Sequence, residues 1–232
     1  MGSSLPLRLV CEALGTGAIA YVAMCAPLLA SGPLAQALLI GLTVATLIHA
    51  FGRTSGAHFN PAVSLVLMLQ QGGSRLELLA YSLAQLAGAV AATLALAPAV
   101  PAVAVPAVAV PAAGVPAAGT VPVALPFSAT AFGPELVFTA ALLGLIVVWA
   151  REGKLCPFSQ PLSGVVIGAG LTVFVALAGL QGSGVLNPAL SVAQALGQGP
   201  DRLPAQLLAQ GLAALLVLAA VGRRGRSGER PR

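Results

Sequence analysis

The sequence predicts an all-α membrane protein with six transmembrane helices and two re-entrant half-helices, arranged as two inverted repeats. Three observations support this prediction: an apolar composition, a repeated Asn-Pro-Ala triplet, and residues of the first half that recur at matching positions in the second. Of the 232 residues, 58% are hydrophobic and 7% are charged, whereas soluble domains carry about 25% charged residues. Because this number of charged residues cannot cover a water-facing surface, the chain is predicted to be an integral membrane protein.

Two triplets mark the starts of the two half-helices. They are Asn60-Pro61-Ala62 and Asn187-Pro188-Ala189. Asn is a strong N-cap residue, and Pro is favoured at the first helical position. The helix-compatible stretches end near residues 70 and 196, so each is roughly 15 Å long, half of the ~30 Å hydrocarbon layer. Two such helices meeting tip to tip would cross the membrane together, with their positive N-terminal ends and Asn amides facing each other. The simpler alternative is plain helix capping without pore exposure.

Six apolar runs supply the membrane spans. They cover residues 5–30, 34–51, 76–96, 129–150, 162–180 and 203–221. One half-helix follows the second run and the other follows the fifth. The first run is too long for the core of a signal peptide and has a counterpart in the second half, so we interpret it as a span.

A Pro/Ala/Val-rich tract connects the two halves at residues 98–126. Its proline density forbids a helix, and its backbone could not be satisfied in lipid, so it is predicted to be an outer connection. It is either an expansion without function or a lid over the pore mouth. The chain is then predicted to be one membrane domain, with a first repeat at 5–97, a second at 127–222 and a basic cytoplasmic tail at 223–232.

Matched residues identify the two halves as repeats. Glu12 matches Glu135, Thr16 matches Thr139, and Ala84-Gln85 matches Ala209-Gln210. Each half contains three spans, and because three is odd, the halves must be inserted with opposite orientations.

The distribution of basic residues predicts the orientation. With the N-terminus inside, ten of the eleven Lys and Arg residues lie on inner segments, the exception being Arg202 beside Asp201. The positive-inside rule therefore predicts cytoplasmic termini. We expect a multi-pass protein of the plasma (inner) membrane. The net charge of +5 is no nucleic-acid signal, because the basic residues lie between apolar runs and in the tail. The three cysteines form neither a disulfide framework nor a metal-binding pattern, and no cofactor is predicted.

Residues 55–63, Ser-Gly-Ala-His-Phe-Asn-Pro-Ala-Val, resemble the first signature of the aquaporin family, the major intrinsic proteins, and residues 187–189 resemble the second. The resemblance covers roughly residues 7–221 apart from the proline tract, and the chain is similar to a bacterial-type member. It implies an aquaporin-like fold with one pore per subunit and a homotetramer in the lipid bilayer. The implied activity is passive flow of water or small neutral solutes.

The pore chemistry follows from these residue types. Each Asn can cap its half-helix through its oxygen and leave an amide N–H for the lumen. Glu12 and Glu135 lie within apolar runs, where a bare charge would cost at least ~2.5 kcal/mol, so each needs donors. The resemblance implies that they support the loops before the half-helices; proton coupling is the alternative. His58 lines the inner pore by resemblance, with plain packing as the alternative.

Two further expectations concern packing. His49 is expected to be a hydrogen-bonded interior residue. Four glycines suit close helix crossings. They are Gly88, Gly164, Gly168 and Gly211.

The sequence departs from the family pattern at the outer constriction. Leu190 occupies the position where most members carry Arg, and alignment assigns the other three positions to Ile40, Val175 and Gly184. An apolar ring offers few hydrogen bonds to replace a hydration shell. We therefore predict a wider, less water-selective pore that admits polyols, urea, ammonia or undissociated metalloid hydroxides.

Two other classes compete with a passive channel. A secondary active transporter also uses inverted repeats and broken helices, but it needs coupling groups beyond Glu12, Glu135 and the histidines. A non-conducting scaffold would need a recognition surface, for which the proline tract is the one candidate. An enzyme is not predicted, since the sequence contains no nucleophile with a base, metal cluster or phosphate loop.

Overall fold

The computed structural model describes residues 3–96, 128–152 and 162–222. These residues form eight α-helices, six long and two short. In chain order they are α1 Leu5–Leu29, α2 Pro33–Ser55, α3 Pro61–Gln71, α4 Arg75–Leu96, α5 Ala129–Glu152, α6 Ser163–Gly179, α7 Pro188–Gln198 and α8 Leu203–Val221. The predicted order of spans and half-helices is confirmed. The proline tract and the basic tail lie outside the described residues.

The long helices have the length and composition of membrane spans. Within the described residues, five of them are at least 18 residues long and apolar enough to cross a membrane. The sixth, α6, has 17 residues, which is at the short end of the range of ~17–25 residues needed to span the hydrocarbon core. Leucines such as Leu14, Leu42 and Leu215 are exposed on the outside, as expected for surfaces that face lipid.

The second helix is longer than the apolar run that predicts it. The run ends at Phe51, but α2 continues for one more turn to Ser55. It ends at Gly56, which adopts a left-handed conformation (φ 91°) and donates its N–H to the Gly52 carbonyl. This is the usual glycine C-cap of a helix, and it outweighs the polarity of the last turn.

The environment of His49 also differs from the prediction. Its ring lies on an exposed face of α2 rather than in the interior, with Nδ1 2.8 Å from the Ala45 carbonyl oxygen. The carbonyl of its own helix satisfies this nitrogen, so a polar contact does not require an interior position.

Glycines allow the helices to cross closely where α1 packs on α4 and α2 packs on α6. A Cβ on Gly88 would lie 1.9 Å from the Ala13 carbonyl oxygen, and one on Gly168 would lie 2.5 Å from the Gly41 carbonyl oxygen. Gly164 is covered by the His49 ring. The expectation was wrong for Gly211, which is exposed and has no atom within 4 Å of a built Cβ.

Candidate functional site

The two half-helices begin at asparagines that cap them in the same way. The Asn60 side-chain oxygen accepts the Ala62 N–H at 2.8 Å, and the Asn187 side-chain oxygen accepts the Ala189 N–H at 3.0 Å. Both Asn residues have extended backbone, and Pro follows each at the first helical position. Local sequence therefore fixes both helix starts, because each triplet carries its own cap.

The same two asparagines tie the half-helices to each other. Asn60 Nδ2 donates to the Leu186 carbonyl at 2.8 Å, and Asn187 Nδ2 donates to the Phe59 carbonyl at 2.9 Å. The two N-terminal ends therefore meet. An amide nitrogen carries two hydrogens, so each of these bonds uses one and leaves the second for the cavity that both Asn residues line. Sequence reasoning missed this reciprocal pair, which joins residues more than a hundred positions apart.

The residue before each Asn has an uncommon backbone conformation. Phe59 (φ 51°) and Leu186 (φ 54°) are left-handed, a conformation that costs a non-glycine residue roughly 1–2 kcal/mol. In return, the backbone N–H and the carbonyl of each of these two residues both form hydrogen bonds. Each carbonyl accepts the opposite asparagine, and each N–H donates to a buried glutamate, Phe59 to Glu12 at 2.7 Å and Leu186 to Glu135. Two hydrogen bonds at each of these residues, one from its N–H and one to its carbonyl, thus offset the strain.

Glu12 and Glu135 are fully buried acceptors for the loops that precede the half-helices. Each receives hydrogen bonds from a serine hydroxyl, from successive loop N–H groups and from a glutamine. The donors to Glu12 are Ser55, His58, Phe59 and Gln85. The donors to Glu135 are Ser183, Gly184, Val185, Leu186 and Gln210. The buried carboxyls therefore have the donors that the sequence analysis required of them.

The glutamines extend each network onto the half-helix. Gln85 Nε2 also donates to Ser64, and Gln210 Nε2 donates to Ser191, both at 2.9 Å. Sequence analysis noted the matched glutamines as markers of the repeat but did not place them in the site. Their recurrence inside apolar spans was the signal that could have done so.

The other predicted positions line the same cavity, which has a volume of about 720 Å³. Ile40, Val175, Gly184 and Leu190 all line it, as does His58. The remaining wall is largely aliphatic, with Ile19, Val44, Ile48, Ile146, Ile167 and Leu171 among its residues. The polar groups on the wall include the two asparagines and the loops that precede them, together with side chains such as Gln36, Thr93, Gln194, Gln198, Arg202 and Gln206.

His58 lies where the first loop meets the cavity wall. Its Nδ1 is 3.2 Å from Ser64 Oγ, and its ring centroid is 5.3 Å from that of Tyr81. The Tyr81 hydroxyl in turn donates to the Ser55 carbonyl at 2.7 Å. His58 therefore both lines the cavity and packs, so the two interpretations of the sequence are compatible. Across the described ranges, no group of three His, Cys, Asp or Glu side chains could hold a metal ion.

These features define a helical membrane transport protein in which two half-helices from opposite repeats meet at one central cavity. The family model described as "Major intrinsic protein" matches residues 7–199. The chain belongs to the major intrinsic protein family, and it is a membrane channel of the aquaporin type.

Individual relatives agree with this assignment. Aquaporin NIP3-1 of Zea mays is 30% identical over 99% of this chain and 74% of its own length. Glycerol uptake facilitator protein-like 6 of Lactiplantibacillus plantarum is 28% identical over 84% of this chain and 86% of its own. The aquaglyceroporin structure from Plasmodium falciparum, at 19% identity and a TM-score of 0.64, covers 93% of this chain and 95% of its own. That last likeness supports the fold.

Proposed function

We propose that the chain is a passive pore for water and small neutral solutes, with a path through the cavity past Asn60 and Asn187. The observation that carries this proposal is the reciprocal pair of asparagine bonds, which sets two amides and two positive helix ends at one point of the cavity wall. Such a point can orient passing water and oppose cations, including protons.

We further propose that Ile40, Val175, Gly184 and Leu190 form the outer constriction and that polyols, urea, ammonia or undissociated metalloid hydroxides pass it. Three aliphatic side chains and a glycine at these positions supply no side-chain donor. Two similar proteins are named Aquaglyceroporin AqpS, of Rhizobium meliloti, and Glycerol uptake facilitator protein-like 6, which supports solutes of this class.

The proposal extends to the assembly. We infer one channel domain per chain, a homotetramer, and cytoplasmic termini in the plasma (inner) membrane, on the distribution of basic residues and the family. Glu12 and Glu135 act as loop supports and His58 as a pore-lining residue.

Leu190→Arg is expected to lower glycerol and urea permeability about tenfold, equivalent to a barrier increase of ~1.4 kcal/mol. The larger cationic side chain would narrow the constriction and favour water, which is small enough to pass beside it. Stopped-flow light scattering on proteoliposomes measures both permeabilities, with Leu190→Met as the size-matched apolar control. Unchanged solute flux in Leu190→Arg would remove residue 190 from the constriction.

A proton ionophore is expected to leave solute uptake by the wild-type protein unchanged. Glu12 and Glu135 are each occupied by at least four protein donors at matched positions, which favours support over proton coupling. Uptake of labelled glycerol into proteoliposomes carrying an imposed pH gradient checks this. Loss of accumulation on adding the ionophore would favour the secondary transporter instead.

A further inference from the structure

We propose that Arg202, with Gln206 beside it, forms a docking site for neutral oxygen-bearing solutes at the mouth of the cavity next to residues 181–184. Both side chains line the cavity. The proposal rests on the proposed function and adds to it the residue that receives the solute before the apolar constriction.

The internal repeat explains why this arginine is available. Gln85 and Gln210 make the same pair of bonds in the two halves, to a glutamate and to a half-helix serine. With α4 and α8 aligned at these glutamines, Glu77 aligns with Arg202. The same comparison of α1 with α5, aligned at Glu12 and Glu135, pairs Arg8 with Ala131.

The surroundings of Glu77 in the first repeat and of Arg202 in the second repeat differ. In the first repeat, Glu77 forms an ion pair with Arg8. In the second repeat, the position equivalent to Arg8 is the buried Ala131, which offers no carboxylate. The Arg8–Glu77 pair is the one salt bridge among the described residues, so Arg202 forms no ion pair in that part of the chain, not even with its sequence neighbour Asp201.

A backbone carbonyl positions Arg202. One terminal nitrogen of its guanidinium donates to the Gly182 carbonyl at 2.8 Å. A guanidinium has five N–H donors in a fixed plane, so this bond orients the group and leaves further donors on an exposed side chain. Gly182 lies two residues before Gly184, the residue that we place in the constriction.

A glutamine cluster continues the polar wall. Gln206 lies one turn after Arg202 and is 2% exposed. Its Nε2 contacts Gln194 Oε1 at 3.3 Å, and Gln194 Nε2 donates to Gln198 Oε1 at 2.9 Å. All three glutamines line the cavity, so this mouth is polar.

The constriction that follows this mouth is apolar. A solute must lose hydration to pass Ile40, Val175 and Leu190, and hydrogen bonds from Arg202 can replace part of that shell. The chemistry suits neutral solutes with oxygen acceptors, such as polyols and urea, because a cation would be repelled.

The test compares Arg202→Met with Arg202→Lys and with Arg75→Met, an exposed arginine that does not line the cavity. Stopped-flow measurements on proteoliposomes give glycerol and urea permeability from solute gradients and water permeability from sucrose shock. We expect Arg202→Met to lower the two solute permeabilities about fivefold, the loss expected for a charged hydrogen bond weakened by solvent exposure. Water permeability is expected to stay within a factor of about two, because water needs no docking.

The remaining variants and outcomes decide the interpretation. Arg202→Lys, which keeps a charged donor, is expected to retain most of the solute permeability, and Arg75→Met all of it. Equal losses of water and solute permeability in Arg202→Met would mean that the arginine only positions the loop, and would overturn the docking site. Solute permeabilities that are unchanged from wild type in Arg202→Met would overturn it too, with the proposed function intact. Wild-type vesicles no more permeable than empty ones would overturn both proposals.

Discussion

Replacing Glu135 with leucine is expected to abolish permeability and to destabilise the protein strongly. The substitution would leave five donors without their acceptor, three of them consecutive loop N–H groups, and the donors on Ser183, Leu186 and Gln210 are buried. Each unsatisfied buried donor costs about 1–3 kcal/mol, and together they approach the whole stability of a typical domain, about 5–15 kcal/mol. The readouts are size-exclusion profile and thermal unfolding in detergent, and water permeability in proteoliposomes.

Glu135→Gln is the matched control, because it keeps one acceptor oxygen in nearly the same shape. Its stability and permeability are both expected to lie between those of wild type and Glu135→Leu. The variant Glu12→Leu, in the other repeat, is expected to behave like Glu135→Leu. A Glu135→Gln protein with wild-type stability but no transport would indicate a coupling carboxylate. Wild-type stability and permeability in Glu135→Leu would show that this carboxyl does not hold the loop.

Much of the architecture follows from local sequence. The helix starts at Pro61 and Pro188 are encoded in their own Asn caps, and the long spans are encoded in apolar length. The buried carboxyls at positions 12 and 135 were recognisable because an acidic residue within an apolar run must have donors. Local signals were least informative at helix ends, as at Ser55, where a polar last turn was still helical.

Long-range features could not be predicted. The bond between Asn60 and the Leu186 carbonyl depends on two loops meeting, and no residue near either position indicates which carbonyl the amide reaches. Arg202 illustrates the same limit. The sequence placed it as one arginine beside Asp201, and its contact with Gly182 and the cavity emerges only when α8 and the second loop are seen together.

Gly88→Ala is expected to lower the melting temperature in detergent by roughly 5–10 °C, whereas Gly211→Ala should leave it unchanged. A Cβ at position 88 would lie 1.9 Å from the Ala13 carbonyl oxygen and 2.7 Å from its carbon. These are backbone atoms, so no side chain can move aside and α1 must shift away from α4. Overpacking of this kind costs about 1–3 kcal/mol or more, and each kcal/mol corresponds to ~2–4 °C in a protein of this size.

Gly211→Ala tests whether the effect depends on the crossing. Both glycines lie inside long apolar helices, but a Cβ at position 211 would meet nothing within 4 Å. The shift caused by Gly88→Ala should also reach the site, because Glu12 precedes Ala13 on α1 and accepts the His58 and Phe59 N–H groups. Water permeability is therefore expected to fall with the melting temperature in Gly88→Ala. Equal melting temperatures for the two variants would contradict the close approach of α1 and α4, and with it the position of Glu12 beneath the first loop.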